Sequence, residues 1–130
     1  MLLKALTHEI IGSCYAVYNE LGYGFLESTY QRALVVALAA RGLIADTEVP
    51  VNVQYRGVNV GDFRLDLVVN DTVIVECKAV EKLALMHRAQ LIHYLRATSY
   101  PLGLLFNFGP EPKLHRFIQT RRSPPSHGTH

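Results

Sequence analysis

Four residues carry the chemistry: Asp66, Glu76, Lys78 and, further upstream, Glu27. Glu76 and Lys78 sit two apart inside the apolar run Val73-Ile74-Val75-Glu76-Cys77-Lys78-Ala79-Val80. A strand has a side-chain period of two, so both point to one face. Ile74 and Val80 share that face and argue that it is buried. Each charge then costs several kcal/mol unless a partner compensates it, on the order of the penalties found in real proteins. A bland alternative is a mutual ion pair on an edge strand.

Asp66 lies in a neighbouring apolar run, between Leu65 and Leu67. Asp is a poor strand residue. Whether it meets Glu76 depends on the connection. A two-residue loop at Asn70-Asp71 pairs Val69 with Thr72 and leaves Asp66 opposite Val75, on the wrong face. A three-residue loop, Asn70 to Thr72, pairs Val69 with Val73 and sets Asp66 opposite Glu76. The expectation is the three-residue loop or an equivalent bulge. Two facing carboxylates repel, and one takes up a proton unless a cation sits between them. Oxygen-only ligation suits magnesium or manganese. Such an ion polarises a phosphodiester and activates water. Lys78 is placed to hold the attacking water or to neutralise developing negative charge.

Other residues are weaker candidates. Glu27 begins a helical stripe, where the helix dipole favours an acid in any case. Gln90 and Tyr94 stand one helical turn apart on one face. Gln90 can orient a water or a phosphate oxygen, and Tyr94 can donate to a phosphate backbone. Arg88, Arg96 and Lys82 are further candidate contacts to a polyanion. His8, His87 and His93 are candidate general bases, but none has a carboxylate partner in sequence.

These residues need a scaffold. Leu6, Ile10, Cys14, Tyr18 and Leu21 predict an amphipathic helix from about Thr7 to Leu21. Gly22 and Gly24 break it. Leu26, Tyr30, Ala33, Leu34, Ala37 and Leu38 predict a second helix ending at Gly42. From Val49 the period becomes strand-like, with an expected turn at Arg56-Gly57. Strands are expected at Phe63 to Val69 and Thr72 to Val80. A helix from Ala84 to Thr98 and a buried strand from Leu102 to Phe108 follow, with a short edge strand from Leu114 to Gln119. Two helices, a meander and a helical crossover to another strand describe an α/β fold with a mixed sheet.

The chain has 130 residues, 49% of them apolar, which is enough for one compact core. Residues 1–120 are expected to form a single domain, and residues 121–130, with Pro124-Pro125, a flexible tail. No apolar run is long enough to cross a bilayer, and no leader-like segment opens the chain. The expectation is a cytoplasmic protein. Cys14 and Cys77 form no CxxC pair and read as small buried residues. Residues 1–81 hold six basic and ten acidic residues; residues 82–130 hold seven basic and one acidic. The basic second half suits nucleic acid.

Gly24-Phe25-Leu26-Glu27-Ser28-Thr29-Tyr30 resembles the pattern that names the GxxExxY proteins, a group within the PD-(D/E)XK nuclease superfamily. The resemblance runs from about Leu6 to Gly109. It includes Arg64-Leu65-Asp66-Leu67-Val68, the Glu76-Cys77-Lys78 strand, Ala89-Gln90-Leu91-Ile92-His93-Tyr94-Leu95 and Gly103 to Gly109. Leu65 stands where the superfamily's proline would be. The resemblance implies a three-layer αβα restriction-endonuclease-like core, with helices on both sides of a mixed sheet. It implies that Asp66 and Glu76 are central ligands of Mg2+ or Mn2+, assisted by Glu27. Lys78 would be the catalytic lysine and Gln90 an accessory residue. The implied activity is metal-dependent hydrolysis of nucleic acid, DNA first, without strong sequence specificity, since no helix-turn-helix or zinc finger is evident. A homodimer would let each subunit address one strand. The competing expectation is a non-catalytic module that keeps the fold and binds nucleic acid or protein.

Overall fold

The computed structural model describes residues 2–119. The tail expected at residues 121–130 lies outside them. Helix α1 (Leu3–Leu21) and helix α2 (Glu27–Ala40) precede strands β1 (Ala45–Tyr55), β2 (Val58–Val69) and β3 (Val73–Lys78). Helix α3 (Leu85–Arg96), β4 (Leu102–Asn107) and β5 (Lys113–Ile118) complete the order. The five strands form one sheet in chain order, with β3 and β4 parallel and the other neighbours antiparallel. It is an α/β fold with a mixed sheet flanked by helices on both faces.

The two faces have separate cores. Leu6, Ile10, Cys14 and Val17 of α1 and Tyr30, Leu34 and Leu38 of α2 pack on Leu67, Val69, Val73, Val75, Leu104 and Phe106. Tyr30 stacks on Phe108 with ring centroids 4.5 Å apart. On the other face, Leu91 and Leu95 of α3 cover Leu65, Val68, Ile74 and Leu105. Each such buried leucine contributes roughly 1.5–3 kcal/mol. Leu91 sits directly over Gly103, where a Cβ would lie 2.9 Å from Leu91 Cδ1. That glycine is needed for the close approach of α3 to β4.

Several boundaries differ from the sequence expectation. Helix α1 starts at Leu3, one turn before Thr7. Leu26 is the exposed N-cap of α2 and not part of its buried stripe. Strand β2 begins at Val58, because Asn59, Gly61 and Asp62 extend into a long ribbon with β1 despite their low strand preference. The Arg56-Gly57 turn is present, both residues at positive φ. Strand β3 ends at Lys78, two residues before Val80. Pro50 is accommodated because β1 is an edge strand.

Candidate active site

The β2–β3 hairpin creates the site. Asn70 and Asp71 both take left-handed backbone (φ 50° and 52°), and the Thr72 N–H donates to the Val69 carbonyl at 3.0 Å. Thr72 is the extra residue, so the Cα partners run Val69–Val73, Val68–Ile74 and Leu67–Val75. This is the register that sets Asp66 across from Glu76. Pairing of β2 with β3 stops there. In its place the Asp66 N–H donates to Glu76 Oε2 and the Cys77 N–H donates to Asp66 Oδ2, both at 2.8 Å.

The other edge of β2 is also interrupted at Asp66. Partners run Thr47–Leu67 and Val49–Leu65, skipping Glu48 and Asp66. Glu48 has φ 51°, rare for a residue with a Cβ. The ribbon reverses its faces there: Ala45, Leu67 and Val69 pack toward α1 and α2, whereas Val49, Val51, Phe63 and Leu65 pack toward α3. Strict alternation would put these odd-numbered residues on one side. Gln31 of α2 fills the gap, its Nε2 donating to the Asp66 carbonyl and to Glu48 Oε2, each at 3.2 Å. Both backbone groups of Asp66 are thus satisfied by side chains.

Burial sets the electrostatics. Glu76 is 5% exposed. Its carboxyl is pushed up to about 8, first by burial and then by the charge of Asp66, against the pull of the Asp66 N–H and Lys78. Asp66 is raised as well, chiefly by burial; the Cys77 N–H and Lys78 oppose this, while Glu27 and Glu48 add to it. Among the described residues the ion pair within 4.0 Å is Arg41–Glu9, so Glu76 and Lys78 are not paired with each other. The second oxygens of both carboxylates have no hydrogen-bond partner among those residues. No fully buried side-chain oxygen or nitrogen there is orphaned, so neither second oxygen is completely sealed from solvent.

Two raised, converging carboxylates with open oxygens fit a hard divalent cation. No three acidic, histidine or cysteine side chains among the described residues converge to hold one. Glu27, exposed at the start of α2, raises Asp66 from outside that reach. Magnesium is commonly held by one or two carboxylates, with water and phosphate oxygens completing its shell.

Helix α3 closes the other flank. Tyr94 stacks on Phe63 of β2 (centroids 4.3 Å apart, planes 7° apart). Its phenol is raised by burial and by the charges of Glu76 and Asp66, with Gln90 opposing. Gln90, Tyr94 and the carboxylate pair therefore share one flank. Arg88 is exposed on the side of α3 toward β5. Arg96 follows Tyr94 by two residues, roughly 200° around the helix, and points away from the pair. Lys82 is exposed in the β3–α3 connection. His87 accepts the Ala84 N–H on Nδ1 at 3.0 Å and so tethers the start of α3. His8 and His93 are exposed.

Residues 4–120 match the family description of the PD-(D/E)XK nuclease superfamily. The chain belongs to that superfamily. A search of the curated proteins and a search of the solved structures returned no match. Asp66 lies on β2, and Glu76 and Lys78 lie on the adjacent strand β3. No described helix is long and apolar enough to cross a membrane.

Three residues around this carboxylate pair escaped the sequence reading. Gln31 stands one turn after Glu27, a spacing that places it on the same helical face. Glu48 had no signal, because nothing local marks a left-handed residue in a strand. Asn107 is 2% exposed and clamps the segment after Lys78: its Oδ1 accepts the Val80 N–H at 3.0 Å, and its Nδ2 donates to the Val80 carbonyl at 2.9 Å. The Phe108 N–H also reaches the Lys78 carbonyl at 2.7 Å.

The tyrosine and first glycine of the GxxExxY-like stretch have structural tasks. The Tyr30 hydroxyl donates to the Gly22 carbonyl and accepts the Phe25 N–H, holding the loop before Glu27. Gly24 has φ 118°, which a side chain would oppose.

Proposed function

We propose that this chain is a nuclease dependent on Mg2+ or Mn2+ that hydrolyses phosphodiester bonds of nucleic acid, DNA first, without strong sequence specificity. The observation that carries the reading is the open, raised carboxylate pair Asp66 and Glu76, with Lys78 beside it. Asp66 and Glu76 would hold the ion, with Glu27 supporting from α2. The bound ion supplies Lewis-acid polarisation of the phosphate and offsets its charge. Lys78 steadies the negative charge that builds as water oxygen bonds to phosphorus and the bond to the leaving oxygen breaks. Gln90 orients the water or a phosphate oxygen. Tyr94, Arg88 and Lys82 contact the backbone of the strand, whereas Arg96, on the other side of α3, does not reach it. Absence of strong specificity follows from the small scaffold, whose described elements are all used in building the sheet and its covering helices. A homodimer would serve both strands of a duplex.

The test is cleavage of labelled linear, branched and single-stranded DNA, and of RNA, with magnesium, manganese or EDTA. The wild type cleaves only with metal, and Lys78→Ala loses about 100-fold or more. If neither protein cleaves and neither metal raises the melting temperature, the reading is wrong.

A further inference from the structure

The register of the sheet lines up charges beyond the carboxylate pair. On the α3 face, Glu76 of β3 lies beside Leu105 of β4, which lies beside His115 of β5. One step along, Lys78 lies beside Asn107, which lies beside Lys113. His115 and Lys113 share this face with Phe117, which packs toward α3. Arg88 reaches the same place from the helix. Burial, then the positive charges of Arg88 and Lys113, hold His115 below the usual imidazole range. Arg88 and Lys113 are exposed, and neither has a carboxylate within 4.0 Å among the described residues. Like charges gathered without counter-charges disfavour one another until an anion arrives.

We propose that Lys113, His115 and Arg88 form a phosphate track that carries one nucleic-acid strand from the Asp66–Glu76 pair across β4 to the β5 edge. The proposal rests on the nuclease reading and adds the direction in which the strand leaves. Strands are about 4.8 Å apart, so β5 lies roughly 10 Å from Glu76. That is about three nucleotides at an axial rise of ~3.4 Å per residue of one strand. The track therefore holds phosphates flanking the scissile one on a single side.

The test measures binding of fluorescent single-stranded and duplex DNA to the full chain in EDTA, across a salt series. Lys113→Gln and Arg88→Gln each make the slope of log affinity against log salt shallower by about 0.7–0.9, one phosphate contact apiece. Lys4→Gln, on α1 across the sheet, leaves it unchanged. A second measurement uses the wild type alone, with one neutral methylphosphonate linkage moved along the DNA. Substitution about three nucleotides to one side of the cleavage point weakens binding, and substitution at the same distance on the other side does not. Unchanged slopes in both variants, or equal effects on both sides, overturn the track. Intact metal-dependent cleavage in that case leaves the nuclease reading standing. Shallower slopes in both variants without any cleavage would instead support the track and remove the catalytic reading.

Discussion

Asp66 and Glu76 hold each other's strands: the Asp66 N–H donates to the Glu76 carboxylate, and the N–H of Cys77, next to Glu76, donates to the Asp66 carboxylate. Each acid is fixed by the strand that carries the other. One oxygen of each is used for position, and the other is left for a ligand. The pair is thus held in position by backbone donors, and neither acid is in an ion pair within 4.0 Å among the described residues.

Asp66→Asn and Glu76→Gln keep a carbonyl oxygen able to accept the same backbone N–H. Both variants should fold, and their metal-free stability should equal or exceed that of the wild type, since neither keeps a carboxyl that must be buried charged or made to hold a proton. Cleavage should fall by about 100-fold or more. Magnesium should no longer raise the melting temperature. Thermal melts with and without metal, beside a cleavage assay, check all three outcomes.

Glu76 also gives the metal-free protein a pH dependence. Its carboxyl is raised from 4.5 to about 8 in the fold, so between those values the folded chain keeps a proton that the unfolded chain has lost. Stability must fall as pH rises through that window. In EDTA the melting temperature should be lower at about pH 8.5 than at about pH 5, and Glu76→Gln should flatten the decline. Magnesium should stabilise most at the alkaline end, because the cation takes the proton's place. A wild-type melting curve that rises with pH would contradict the assignment.

Asn107→Ala removes two part-buried hydrogen bonds to Val80 and unfastens the chain just after Lys78. A loss of about 1–3 kcal/mol is expected in denaturant melts, because the half-buried Val80 N–H and carbonyl lose their partners. Cleavage measured well below the melting temperature should also fall, through looser placement of Lys78. Full activity in a destabilised variant would restrict Asn107 to a structural task.

The loop length between β2 and β3 was legible because only one register puts two acids on one face; burying Asp66 opposite Val75 made no chemical sense. The β3–α3–β4 crossover was legible from periods of two and 3.6 alone. What stayed hidden depended on contacts between distant segments. Asn59, Gly61 and Asp62 are strand residues because β1 pairs with them, not through their own preference. Glu48 takes positive φ where the β1–β2 pairing is interrupted opposite Asp66, and the distant Gln31 bridges the two. The bland alternative, a mutual ion pair of Glu76 and Lys78, is not what forms: the carboxylate is engaged by the neighbouring strand instead.

The hairpin that joins the two acids has a consequence for how the protein is assembled. Asp66 and Glu76 are ten residues apart in the chain, so they meet through a contact that needs little loop closure, and hairpins form in roughly microseconds. The parallel β3–β4 partnership spans α3 and closes a much longer loop. The contact that gathers the two acids is thus a local one, whereas the closure that buries them depends on a distant segment of the chain.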